Sequence, residues 1–211
     1  MIRAASWFCA EHCGVYSSAG GSWEQRSPAF SATAEIPALV GRPVKYYARM
    51  TAETRCCLFA ASLAIKHAGW ETNSIEVGLL SAGSEGCVQA NAEYFQDYVD
   101  NGRTLGRGNL FIYTLPTSAL GEVAIGLSLT GPSMFIRSSD DPLASLVRIG
   151  GRMVSDGEAG GMLGLWSDSE AAVCVVIEAG DEGGDGFALP VMGEVKPLQL
   201  CGELRNLVRR K

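Results

Sequence analysis

Two short clusters carry residue types that could do chemistry. Asp140 and Asp141 are adjacent carboxylates, preceded by Ser138 and Ser139 and followed by Pro142. At the start of a helix, Asp140 would act as an acid or base whose ionised form the helix N-terminus favours. Ser138 or Ser139 would be a nucleophile if a histidine could activate it. A structural role also accounts for the pair, because Asp is a favoured N-cap and Pro a favoured first residue, so Asp141-Pro142 starts a helix well. The chain holds only two histidines, His12 and His67, and spacing places neither beside the serines. The second cluster is Cys9-Ala-Glu-His12-Cys13. Cys9, His12 and Cys13 would offer three ligands to zinc, but no second cluster supplies a clear fourth. Trp7, Phe8, Val15 and Tyr16 around them are what a buried strand carries, so the expectation is core thiols and no metal.

Other segments invite weaker readings. Ser81-Ala-Gly-Ser-Glu-Gly86 lacks the Lys of a phosphate loop and the spaced glycines of a dinucleotide site, so it reads as a tight turn and no cofactor is expected. Glu122, Arg103 and Arg107 are either interface charges or solvated ones. Arg205, Arg209, Arg210 and Lys211 suit the negative end of a helix dipole, and they would equally suit an acidic partner such as an acyl carrier protein.

The chain of 211 residues is 47% hydrophobic and 19% charged, which fits one globular domain with or without a tail. A net charge of −6 argues against nucleic acid as the main partner. No apolar stretch approaches the roughly 20 residues of a membrane span, and Met1 to Gly14 does not read as a signal peptide. Seven irregularly spaced cysteines then point to reduced thiols and a cytoplasmic protein.

The elements that must position these residues follow from pattern. Residues 5–16 read as a strand that ends in the loop Ser17–Ser22, and 24–47, with Pro28, Pro37, Gly41 and Pro43, as a long connection. Cys57, Leu58, Ala61, Ala64, Ile65 and Ala68 have helical spacing within a helix from Thr51 to Ala68, stopped by Gly69. Ile75 to Ala82 is a strand. A second helix spans Glu85 to Val99, with Val88, Ala92, Phe95 and Val99 on one face, and 103–115 is loop. A third helix, Thr117 to Leu129, has a small face at Ala119, Gly121 and Gly126, against which something must pack closely. Gly131-Pro132 precedes a short strand, Ser133 to Arg137, and Pro142 opens a helix to Asp156. Met162 to Ser167 and Ala171 to Glu178 form a hairpin, and the tail from Lys196 is an amphipathic helix. Glycines around 14–21, 150–164 and 180–186 read as loops. Together these give a layered α/β domain over residues 1–182, with a mixed sheet flanked by helices, and a C-terminal extension over 183–211.

From Met50 to Ile136 the chain resembles the N-terminal half of a β-ketoacyl synthase, of the thiolase-like superfamily. Thr51 to Trp70 has the register of that family's Ala-rich helix ending in Ala-Gly. Val77-Gly-Leu-Leu-Ser-Ala-Gly-Ser-Glu-Gly86 is similar to its next strand and Gly-rich turn. Leu115 to Ser133, through Gly131-Pro132, resembles the helix and strand entry before the nucleophile. Residues 147–178 resemble the helix and two strands after it.

The resemblance implies a nucleophilic Cys at a tight strand-to-helix turn, and that position falls on Asp140. No Cys lies between Cys87 and Cys174. Condensation needs a thiolate that both attacks a thioester and leaves again, whereas a carboxylate would give a mixed anhydride. The chain ends at Lys211, about half a family member, and the family's catalytic histidines belong to the other half. A pseudoenzyme is the expectation: a partner or structural subunit of a fatty-acid or polyketide-type pathway. It would be a homodimer, or a heterodimer with a full-length ketosynthase, paired through the strand after Gly131-Pro132. The other readings are a small acyl hydrolase or decarboxylase using Asp140, and a binding relic for acyl ligands. A half-fold would also have to cover the face that normally meets its twin, by folding back the segment from Gly183, by pairing, or with a synthase partner.

Overall fold

The computed structural model describes residues 1–17, 20–27, 40, 43–45, 47–71, 76–83, 87–138, 141–179 and 196–209. One seven-stranded mixed sheet organises them. Its strands are β1 (Ile2–Cys9), β2 (His12–Ser17), β3 (Trp23–Arg26), β4 (Val77–Gly83), β5 (Ser133–Arg137), β6 (Gly161–Ser167) and β7 (Ala171–Ile177). They lie in the order β3-β2-β1-β7-β6-β4-β5, so β3 and β5 are the two edges. β4 runs parallel to β5 and β6, and the remaining pairs are antiparallel.

Among the described residues six α-helices have defined bounds: α1 (Ala52–Ala68), α2 (Val88–Asp100), the single turn α3 (Gly108–Phe111), α4 (Ser118–Leu127), α5 (Pro142–Ser155) and α6 (Pro197–Arg209). α1 forms where expected. Thr51 Oγ1 accepts from the Thr54 backbone N–H at its start, and Gly69 takes the left-handed conformation (φ 66°) at its end. Cys56 to Ala64 are all buried, between the sheet and α4. Ser6 Oγ donates to the Ala60 carbonyl at 2.6 Å, a buried bond that ties α1 to β1. α1 and α4 cover one face of the sheet, with Phe8, Leu79, Leu163 and Cys174 beneath them. α5 and α6 cover the other, over Trp7, Leu80, Met162 and Ile177. The layered α/β fold with a mixed sheet is as expected.

Several local expectations change. Residues 5–16 are not one strand but two, β1 and β2, which turn at Ala10-Glu11. The apolar run looked continuous because both strands are buried on both faces. The connection 24–47 opens with β3, and 103–115 contains α3 and a 3₁₀ turn at Ile112–Thr114. α4 ends at Leu127, where Ser128 adopts φ 55°, ahead of the expected Gly-Pro stop. Of its small face Gly126 is packed, with 3.0 Å from a built Cβ to Leu58, and Ala119 is half-buried against the same core, but a Cβ on Gly121 would meet nothing within 4 Å. Some glycines read as loops lie inside elements because an indole needs their space: Gly14 in β2 sits under Trp7, and Gly161 in β6 under Trp70. The expected boundary at 182/183, and the residues Gly183, Arg210 and Lys211, lie outside the described residues.

Candidate functional site

β4 and β5 end side by side, and α/β sheets place their chemistry at such carboxyl ends. Ser138 N donates to the Gly83 carbonyl at 3.1 Å, so the chain leaves β5 still anchored to β4. Four residues later it enters α5 at Pro142. The resemblance placed its nucleophile turn between these two elements. Ser139 and Asp140 lie outside the described residues. Asp141 is the N-cap of α5: its Oδ1 accepts from the Ala144 backbone N–H at 2.9 Å, with Pro142 as the first helical residue. Its carboxylate therefore serves the helix. Ser138 Oγ lies 3.1 Å from Ser145 Oγ, so two hydroxyls face each other, and among the described residues no base is bonded to either.

Neither histidine can reach this turn. His12 is in β2, five strands away from β5, which at about 4.8 Å per strand is roughly 24 Å. His67 ends α1 beside the β2–β3 connection, near Gly21. Thiols offer no substitute. All seven cysteines are free, and all but Cys87 are buried. Burial, with Asp168 nearby, pushes Cys56 up to about 12, and burial raises Cys13, Cys57, Cys174 and Cys201 as well. Cys87 lies at the correct end of the sheet, just before α2, but its thiol donates to the Thr114 carbonyl at 2.6 Å. Asn91 Nδ2 donates to its sulfur at 3.0 Å.

The Cys9, His12, Cys13 set is split by the sheet. Alternation along β1 and β2 places Cys13 in the core under α1 and Cys9 in the core under α5 and α6. His12 Nδ1 accepts from Trp7 Nε1 at 2.9 Å instead. Among the described residues no three His, Cys, Asp or Glu side chains come together as a metal site. Arg107 is bonded to Asp97, and Arg49 lies 3.9 Å from Glu122, so these charges are matched within the chain. Arg205 and Arg209 each donate from Nε to Glu24 at 2.7 Å, which neutralises part of the basic tail.

The sequence reading missed an apolar surface beside the β5 edge. α2 has no buried residue. Phe95 is 63% exposed, Leu105 80%, Ile125 74% and Met134 45%, with Val88, Phe111 and Leu115 exposed as well. The elements that carry them touch one another, as where Tyr94 of α2 meets Phe111 of α3 at 5.6 Å between ring centroids. The stripe on α2 was legible, but a stripe does not say what covers it.

The fold is the thiolase-like ketosynthase fold, so the resemblance read from the residues holds at the level of fold. No family model and no curated protein matches the chain in sequence. Among solved structures, the ishigamide ketosynthase/chain length factor aligns at a TM-score of 0.59 with 15% identity, over 89% of this chain and 64% of that one. A ketosynthase in complex with its chain length factor, from Xenorhabdus doucetiae, aligns at 0.54 with 12% identity, over 78% and 72%. A type II polyketide synthase acyl-carrier protein in complex with its hexaketide-bound ketosynthase aligns at 0.55 with 13% identity, over 84% and 64%. The chain thus spans about two thirds of the length of these three chains. Among the described residues no single helix is long and apolar enough to cross a membrane.

Proposed function

We propose that this chain is a non-catalytic, synthase-like subunit. It pairs with a Cys-bearing ketosynthase in a fatty-acid or polyketide-type pathway of the cytoplasm and presents the pair to an acyl carrier protein. The observation that carries this reading is the β5 edge. Among the described residues β5 has one unpaired side; it carries exposed Met134 and touches the helix that carries exposed Ile125, and open edges of this kind invite strand pairing with another chain. The nearby turn at 138–141 supplies no thiol or imidazole from this chain, which supports a supporting role over condensation. Two of the similar structures are described as complexes of a ketosynthase with a chain length factor, and a third contains an acyl-carrier protein. For the Xenorhabdus doucetiae complex the two covered shares are nearly equal, so the matched chain is only slightly longer than this one.

The test is co-purification of the tagged chain from its native host, with the native mass of the purified complex. The expected outcome is a Cys-bearing synthase chain at near one-to-one ratio, lost in the Ile125→Lys, Met134→Lys double variant with an unchanged melting temperature. A clean homodimer, or a monomer, sinks the proposal. Acyl-thioester turnover that disappears in Asp140→Asn would favour the hydrolase reading instead.

A further inference from the structure

The opposite edge of the sheet holds a feature that does not depend on the partner proposal. A cavity of about 580 Å³ opens between the β1–β2 turn, β3 and α6, lined by Glu11, His12, Glu24, Arg26 and Arg205 among others. That volume is within the range of small-molecule sites. Its chemistry follows from one hydrogen bond. The Trp7 indole N–H can only donate, and it donates to His12 Nδ1, so a neutral imidazole must carry its own proton on Nε2. Among the described residues nothing accepts from that Nε2–H. Arg205 and Arg209 use their Nε atoms on the two oxygens of Glu24, which leaves the Nη edge of Arg205 to the cavity. Arg26 stands exposed at the rim with no acceptor among the described residues. Glu24 is therefore neutralised, and a chain of net charge −6 gathers N–H donors and positive charge at one cavity.

We propose that this cavity binds a small oxyanion, a carboxylate or phosphate head group, seated on the His12 Nε2–H and on the guanidinium groups of Arg205 and Arg26. Partly buried, charge-assisted donors of this kind make the stronger class of hydrogen bond. Glu11 at the rim repels a larger polyanion. Burial, and then the charge of Arg205, holds His12 below its ordinary value; an anion beside it would reverse the second effect. Because the donors come from β2, β3 and α6, a bound anion would also fasten the C-terminal helix to the first strands.

Two-dimensional ¹H–¹⁵N spectra of the full chain test this, since the only imidazoles are His12 and His67. Inorganic phosphate and, separately, acetate are titrated in at constant ionic strength set by chloride. The expected result is a saturable shift of the His12 and Trp7 indole resonances with His67 unmoved, and a His12 titration midpoint that rises on saturation. Saturation by phosphate assigns a phosphate head group; saturation by acetate assigns a carboxylate. Arg205→Gln should abolish saturation. Arg26→Gln, at an exposed position, should keep the fold and weaken binding about tenfold. Shifts that stay linear with both anions, that appear equally at His67, or that are unchanged in Arg26→Gln overturn the site.

Discussion

Glu24 accepts one hydrogen bond from each of two arginines that follow it by most of the length of the chain. Burial pushes its carboxyl up, but the hydrogen bonds and charges of Arg209 and Arg205 outweigh burial and hold it below its ordinary 4.5. The folded state thus binds this proton more weakly than the unfolded one. The stabilisation is complete above pH about 4.5 and is lost as pH falls through the depressed value. Glu24→Gln should therefore cost up to about 1 kcal/mol at pH 7, and urea midpoints of variant and wild type should converge below pH 4. Burial and then Arg205 lower His12, and burial and then Arg3 lower His67. Their effect has the same sign higher up the scale: stability is full above pH about 6.5 and falls as pH drops from there toward the lowered values. His12→Gln should flatten part of that slope in the same urea series. Asp141 belongs to this scale too. If its work is capping, Asp141→Ala costs about 1 kcal/mol, which Asp141→Asn largely avoids, because the amide oxygen still accepts from Ala144 N.

At the scale of elements, α4 and β5 show how one residue type serves opposite ends. A Cβ on Gly131 would lie 2.5 Å from the Val77 carbonyl carbon and oxygen, backbone atoms of β4 that cannot step aside. Gly131 N also donates to the Val77 carbonyl at 3.1 Å, so this close approach sets the register in which β5 meets β4. Gly131→Ala should cost more than about 2 kcal/mol. Gly121, in the exposed middle of α4, has no neighbour where a Cβ would go. Gly121→Ala should stabilise the chain by about 0.5–1 kcal/mol, the difference in helix propensity. Thermal melts of the two variants, shifting in opposite directions, check both statements. α2 is the counter-case to α1: both have an apolar stripe, but only α1 has the sheet and a second helix to bury it.

At the scale of the molecule, α6 resolves how a single sheet keeps both faces covered. It packs on β7, β1 and β2, on the same face as α5, and buries Leu200, Cys201 and Leu204. Each fully buried aliphatic side chain contributes roughly 1.5–3 kcal/mol, so this helix is part of the core and not an appendage. Arg148 and Arg152 of α5, with Gln199, Asn206 and Arg209 of α6, turn outward. This helix layer is amphipathic, with its polar side turned outward. Leu204→Ala should cost about 2–4 kcal/mol, read as a lower urea midpoint with an unchanged slope.

The amino-acid order by itself determined what lies within a few residues: the caps at Thr51 and Asp141, the left-handed stop at Gly69, the strand Ser133–Arg137, the hairpin Gly161–Ile177 and the stripe of the last helix. These rest on local hydrogen bonds and on periods of two or 3.6, which a sequence displays directly. The Gly-Pro strand entry and its neighbours carried the fold as well, through their resemblance. Only the tertiary structure decided that Cys9 and Cys13 face opposite cores, that Arg205 and Arg209 are held by Glu24, that His12 opens into a cavity while its other nitrogen is taken by Trp7, and that the stripe on α2 stays bare. Each depends on strand order, which brings together residues far apart in the chain. A period says that a side chain has a face to bury, and only the packed sheet says against what.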